Sequence, residues 1–221
     1  MLGFAPIVPA DRPFRLLAIG SHSDDIEFGC GGTILRLVEE LESLEVQWVV
    51  LSGDDERSDE ARASAGAFLG GVAHEVLLGG FRDGFFPHDP NVKEFYETLK
   101  AGAAPDLVLV HTRSDLHQDH RVACELAWNT FRDHAILEYE IAKYDGDLGS
   151  PNVFVPLEER HVQRKAELLV AHFGSQLDKH WFTKDLFLSL ARLRGMEARS
   201  PTGYAEAFTG RKVRVDAFRI A

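Results

Sequence analysis

Apolar residues along this chain fall into two rhythms. Residues 15–20 (RLLAIG), 46–52 (VQWVVLS) and 106–111 (DLVLVH) are compact runs rich in branched side chains, as expected of strands buried on both faces of a parallel sheet. Between the first two, Ile34, Leu37, Val38, Leu41 and Leu44 recur at the spacing of one helix face and leave Glu39, Glu40 and Glu42 for water, which predicts a βαβ unit. Further helices are predicted over 60–69, 120–131 and 158–173, the last with Val162, Ala166, Leu169, Val170 and Phe173 on one stripe. Shorter strands are predicted at 74–78, 137–142 and 212–220. Segments 81–91 and 144–156, rich in Gly, Pro and Asp, read as loops. Strands alternating with helices imply a layered α/β sheet.

Composition narrows the function classes. A chain of 221 residues, 45% hydrophobic, can bury one sizeable core, and a single domain over 1–221 is expected. The formal net charge of −11 argues against nucleic acid as a partner, because phosphate backbones are engaged by basic patches. Cys30 and Cys124 have no disulfide or CxxC spacing, so both are expected as buried thiols in a reducing compartment. No segment has the pattern of a secretory leader or a membrane span. A cytoplasmic protein without a membrane partner is expected.

Two loops carry the chemistry. The first predicted strand runs into Ser21, His22, Ser23, Asp24 and Asp25, then the helix; the third ends at His111 and enters a loop containing Asp115, His117, Asp119 and His120. In open α/β sheets the C-terminal strand ends form the ligand crevice. One imidazole and one carboxylate from the first loop could meet an imidazole from the second there. Two histidines and a carboxylate with a fourth position open is a catalytic zinc set, whereas structural zinc takes four protein ligands. Zinc brings bound water to a pKa near ~7, and Asp24 is placed to accept the proton as a carbonyl is attacked.

The strings HSDDIEFGCGGT from His22 and DLHQDH from Asp115 resemble the two signature motifs of the LmbE-like (PIG-L) family of zinc-dependent N-acetylglucosaminyl deacetylases. Likeness extends to Arg57–Ala61, Asp83–Gly84, Lys165–His172, Gln176 and Tyr204–Phe208. The resemblance implies a Rossmann-like three-layer α/β/α fold with a mostly parallel sheet, metal binding by His22, Asp25 and His120, and Asp24 as general base. It further implies that His117 assists the oxyanion or the leaving amine, that Asp119 orients His117, and that Arg57 contacts substrate hydroxyls. One Zn2+ per chain is expected, with Fe2+ suited to the same ligands. The expected partner is a small amino-sugar substrate, and homo-oligomer formation is left open. Ser23 and Thr112 stand where the family usually has proline, and one extra residue separates His111 from Asp115.

Other residues carry weaker signals. Gly29, Gly31 and Gly32 lack GxGxxG spacing, so they are expected to serve a tight turn and close helix packing rather than a dinucleotide. His172 and Gln176 either reach the crevice or pack a helix, and the roles of His111 and Asp115 stay open. Asp145 and Asp147 in the 144–156 loop are expected to meet sugar hydroxyls. Two competing functions are a metallo-phosphoesterase and a catalytically silent carbohydrate-binding module.

Overall fold

The computed structural model describes residues 3–102 and 104–214. Its first half is built of β1 (Phe14–Gly20), α1 (Asp25–Glu40), β2 (Leu44–Ser52), α2 (Asp55–Leu69), β3 (Ala73–Phe81), α3 (Pro90–Gly102), β4 (Leu107–His111) and α4 (Gln118–Thr130). Then follow β5 (Ala135–Tyr139), β6 (Val153–Leu157), α5 (Glu159–His172), α6 (Lys184–Glu197) and β7 (Tyr204–Gly210). The strands form one sheet in the order β3-β2-β1-β4-β5-β7-β6. β1 to β5 are parallel, and β7 pairs antiparallel with both β5 and β6. The expected three-layer α/β/α fold with a mostly parallel sheet is therefore present.

Alternation along the central strands divides the core. Leu16 and Ala18 of β1 join Val46, Trp48 and Val50 of β2 against α1, α2 and α5. Leu17, Ile19, Val49, Leu51, Val108 and Val110 face α3 and α4 on the other side. Both faces of β1, β2 and β4 are thus covered, which is why these strands read as continuous apolar runs.

Several predicted bounds are corrected. Leu44 opens β2 rather than closing α1, which ends at the extended Leu41. α2 starts five residues earlier than the predicted 60–69 because the Asp54 side chain accepts the Arg57 amide and caps the helix. β6 starts inside the predicted 144–156 loop and runs one residue past it, and α3, α6 and β7 were not foreseen as elements. Residues 212–214 are irregular, and the rest of the predicted 212–220 strand lies outside the described residues. No helix among the described residues is long and apolar enough to cross a membrane.

The glycines of α1 sit inside the helix, not in a turn. A Cβ on Gly29 would lie 2.1 Å from the Tyr139 ring, one on Gly31 2.7 Å from Phe68, and one on Gly32 2.5 Å from Leu157. Close packing is what they provide. Beside them, Glu206 accepts the Gly32 and Thr33 amides at 2.8 and 2.6 Å, and Lys165 bridges Glu206 to the Phe28 carbonyl.

Candidate metal centre and catalytic site

β1 and β4 are neighbours, while β2 and β5 lie on their opposite sides, so the crevice between their C-terminal ends is a topological switch point. The loop after β1 is pinned by Ser52, whose amide and hydroxyl both donate to the Ser21 carbonyl. It delivers His22, then Asp24 as the N-cap of α1 and Asp25 as its first residue. β4 delivers His111 at its last position, and the following loop delivers His117 as the N-cap of α4, with Asp119 and His120 in the first turn. The two helix N-termini therefore face the same crevice, where their partial positive charge favours anionic groups.

His22 Nδ1 lies 3.2 Å from His120 Nε2 and 3.2 Å from Asp25 Oδ2, and His120 Nε2 lies 3.5 Å from Asp25 Oδ2. Ligands of a tetrahedral zinc at ~2.0–2.2 Å lie roughly 3.3–3.5 Å from one another, so this triangle fits such an ion. The remaining ring nitrogens are held by carboxylates: His22 Nε2 meets Asp83 at 3.0 Å and His120 Nδ1 meets Asp115 at 2.8 Å. Metal-binding histidines usually show this carboxylate backing. Wider groupings also fall within 4.8 Å, namely His22, His117 and His120; Asp25, His111 and His120; and His22, Asp83 and Asp119. His111 is the weaker ligand: its Nε2 is crowded by the Ser21 amide at 3.0 Å, Asp25 at 3.1 Å and the Tyr139 hydroxyl at 3.3 Å. Its ring stacks on His120 at 3.8 Å.

Electrostatics favour a cation at this point. Burial lowers the proton affinity of His22, yet Asp25 and Asp83 outweigh it and draw its pKa up to about 10. Burial alone would raise Asp25, but His120, His111 and His22 together hold it well below the usual carboxylate range. Asp24 differs. Burial and the charge of Asp25 raise its pKa, opposed by Arg57, whose Nη2 donates to Asp24 Oδ1 at 2.6 Å. His117 is half-buried, its pKa lowered by burial and by His22, and its Nδ1 has no hydrogen-bond partner among the described residues. One carboxylate thus suits a cation, a second suits a base, and a neutral imidazole stands beside them.

Residues 17–131, just over half of the chain, match the family model PIG-L, described as GlcNAc-PI de-N-acetylase. The chain belongs to the PIG-L family. A comparison with curated proteins finds no match. Among solved structures, this PIG-L chain is similar to the conserved protein TT1542 from Thermus thermophilus, at 21% identity and a TM-score of 0.73, covering 93% of this chain and 99% of the other. It is also similar to N,N'-diacetylchitobiose deacetylase from Pyrococcus horikoshii, at 20% identity and a TM-score of 0.64, over 89% and 83% of the two chains. GalB, the 4-carboxy-2-hydroxymuconate hydratase from Pseudomonas putida, aligns at 19% identity and a TM-score of 0.72 over 94% and 100%. A deacetylase and a hydratase share this fold, so the fold alone does not choose the reaction.

In this PIG-L chain the residues marked in the sequence converge: His22, Asp24, Asp25, His117 and His120 share the crevice with Arg57. Asp119 departs from the expectation that it orients His117. Its two oxygens accept the Gly84 and Phe86 amides at 2.6 and 3.2 Å, because the loop after β3 folds over the N-terminus of α4. Asp147 is not open to sugar hydroxyls either, being buried against Lys143 and the Leu116 amide. Gln176 is buried beside Ser175, which is tied to Glu60 of α2; it serves helix packing. Asp83 and Lys143 were missed as site residues. Asp83 lay within a recognised likeness, whereas nothing in the sequence around Lys143 pointed to the centre.

Proposed function

We propose that this protein is a zinc-dependent N-deacetylase that hydrolyses the acetamide of an N-acetylglucosamine-type sugar or conjugate, releasing acetate and a free amine. His22, Asp25 and His120 would hold the ion, with Fe2+ accepted by the same donors. Bound there, it supplies a Lewis acid and a water acidic enough to ionise near neutral pH. Asp24 takes the proton of the attacking water. Its raised pKa lets it pass that proton on, and Arg57 keeps its carboxylate aimed. His117 stabilises charge on the former carbonyl oxygen or protonates the departing amine, and Arg57 has further nitrogens for substrate hydroxyls.

The observation that carries this reading is the pairing of a ligand triangle with a separate, buried, arginine-held carboxylate. A binding site alone would not need Asp24. Family membership supports amide hydrolysis, and the diacetylchitobiose deacetylase supports an amino-sugar substrate. The reading takes the chain as one domain over 1–221 acting in the cytoplasm. The charge of −11 and the lack of a membrane-crossing helix among the described residues support a small sugar rather than nucleic acid or a membrane. The test is incubation of metal-loaded protein with N-acetylglucosamine derivatives, acetyl-lysine peptides and sugar phosphates, scoring acetate, amine and phosphate. Acetate and amine in equal amounts from the sugars, slowed about a hundredfold or more in Asp24→Asn, are expected. Phosphate release instead would establish a phosphoesterase, and preference for the peptides would overturn the sugar assignment.

A further inference from the structure

Lys143 follows β5 in a segment rich in polar and small residues, yet its ammonium is nearly buried, with 10% of the side chain exposed. It sits between two buried carboxylates, 2.9 Å from Asp115 Oδ1 and 2.6 Å from Asp147 Oδ2. Each carboxylate also grips the loop between β4 and α4. Asp115 accepts the His117 amide at 2.8 Å and holds His120 Nδ1 through its other oxygen, while Asp147 accepts the Leu116 amide at 2.7 Å.

We propose that Lys143 is a positioning residue for the metal centre: it binds Asp115 and Asp147 together and thereby fixes the loop that carries His117 and the ring of His120. The inference rests on the metal-centre reading above and adds a residue from a different part of the chain. Two carboxylates this close and this buried repel each other unless a cation lies between them. Without Lys143 that repulsion is unrelieved, and one of them swings toward water. Loss at Asp115 frees the His120 ring to turn, and loss at Asp147 frees the Leu116 amide. The first loosens a proposed metal ligand and the second the loop that leads to it. The third neighbouring carboxylate, Asp145, stands 3.9 Å from the ammonium on the solvent side and does not change this logic.

The test uses the whole protein and two measurements: zinc affinity by competition with a chromophoric chelator, and amide hydrogen exchange of Leu116 and His117 in the metal-free state. Lys143→Met should bind zinc roughly 10–100-fold more weakly, the usual cost of losing a partner behind a metal ligand. It should also exchange both amides at least about tenfold faster, with KM for the acetylated sugar unchanged at saturating zinc. Lys143→Arg, which keeps the cation, should restore most of both properties. Lys143→Gln keeps N–H donors without the charge and should shift both in the same direction by a smaller factor, which decides the question where Lys143→Met does not fold. Wild-type zinc affinity and exchange in the neutral variant would overturn the clamp, as would a raised KM with both unchanged, which makes Lys143 a substrate contact. A wild-type protein that binds no zinc would sink the hydrolase reading instead, while the exchange rates still decide the role of Lys143.

Discussion

Gly29→Ala is the sharpest test of how α1 is seated on the sheet. The new methyl would stand 2.1 Å from Cδ2 and 2.6 Å from Cγ of Tyr139, a fully buried ring whose hydroxyl donates to the Ile19 carbonyl at 2.7 Å. Neither the helix nor the ring can retreat without cost. Overpacking costs about 1–3 kcal/mol, and a buried carbonyl or hydroxyl left unpaired adds about 1–3. Alanine gains about 1 kcal/mol over glycine within a helix. A net loss of roughly 1–5 kcal/mol follows from these terms, and at roughly 2–4 °C per kcal/mol for a chain of this size the Tm should fall by about 2–20 °C. Gly66→Ala in α2 is the internal control, because a Cβ there meets nothing within 4 Å, and it should hold or raise the Tm. Calorimetric melting of both, and of Gly29→Ala in a Tyr139→Leu background, separates the clash from helix propensity. The reasoning fails if Gly29→Ala melts with the wild type, or if removing the Tyr139 ring gives no relief. Zinc affinity should fall alongside, since the same hydroxyl neighbours His111 behind Asp25.

Three further outcomes are expected. Asp24→Asn should keep its metal, measured by elemental analysis, while turnover falls about a hundredfold or more, because an amide cannot accept the water proton; loss of metal would make Asp24 a ligand. His117→Ala should lower kcat by roughly 10²–10³ with little change in KM, as removal of an oxyanion partner does, and an unchanged kcat removes His117 from the mechanism. At the surface, hydrogen bonds from Arg160 and His161 hold the Glu39 carboxyl down to about 2, below its ordinary 4.5. A depressed carboxyl pKa stabilises the fold above pH 4.5, and this contribution fades as pH falls toward 2. The Tm gap between wild type and Glu39→Gln should therefore close across that window, and a gap that widens with acid contradicts the pairing.

How much the sequence revealed follows from where charge is buried. β1, β2 and β4 were legible because both of their faces are apolar. β7 was not, since Glu206 sits inside it, neutralised by Lys165, and so breaks the alternation that marks a strand. Pro156 in β6 made an edge strand look like a loop. In α6 the buried Arg194 pairs with Glu140, which blurs the division between apolar and polar faces. The proposed ligands were readable as candidates because they fall in two short strings after two strands. Their supports were not: Asp83, Lys143 and Asp147 come from other loops, and only the folded chain brings them to Asp115, His22 and the loop before α4. The hydrogen bonds of Asp119 were hidden for the same reason, because the amides it holds belong to the loop after β3.

The grip of Glu206 on the Gly32 and Thr33 amides has a consequence for biogenesis. All three proposed zinc ligands have left the ribosome once His120 emerges, but the helix that begins at Asp25 lacks the side-chain acceptor for two of its amides until the strand containing Glu206 has been made. Full seating of α1 on the sheet is thereby deferred to a nearly finished polypeptide. A prematurely terminated chain would carry both recognition strings and still lack this support for the helix that bears Asp25.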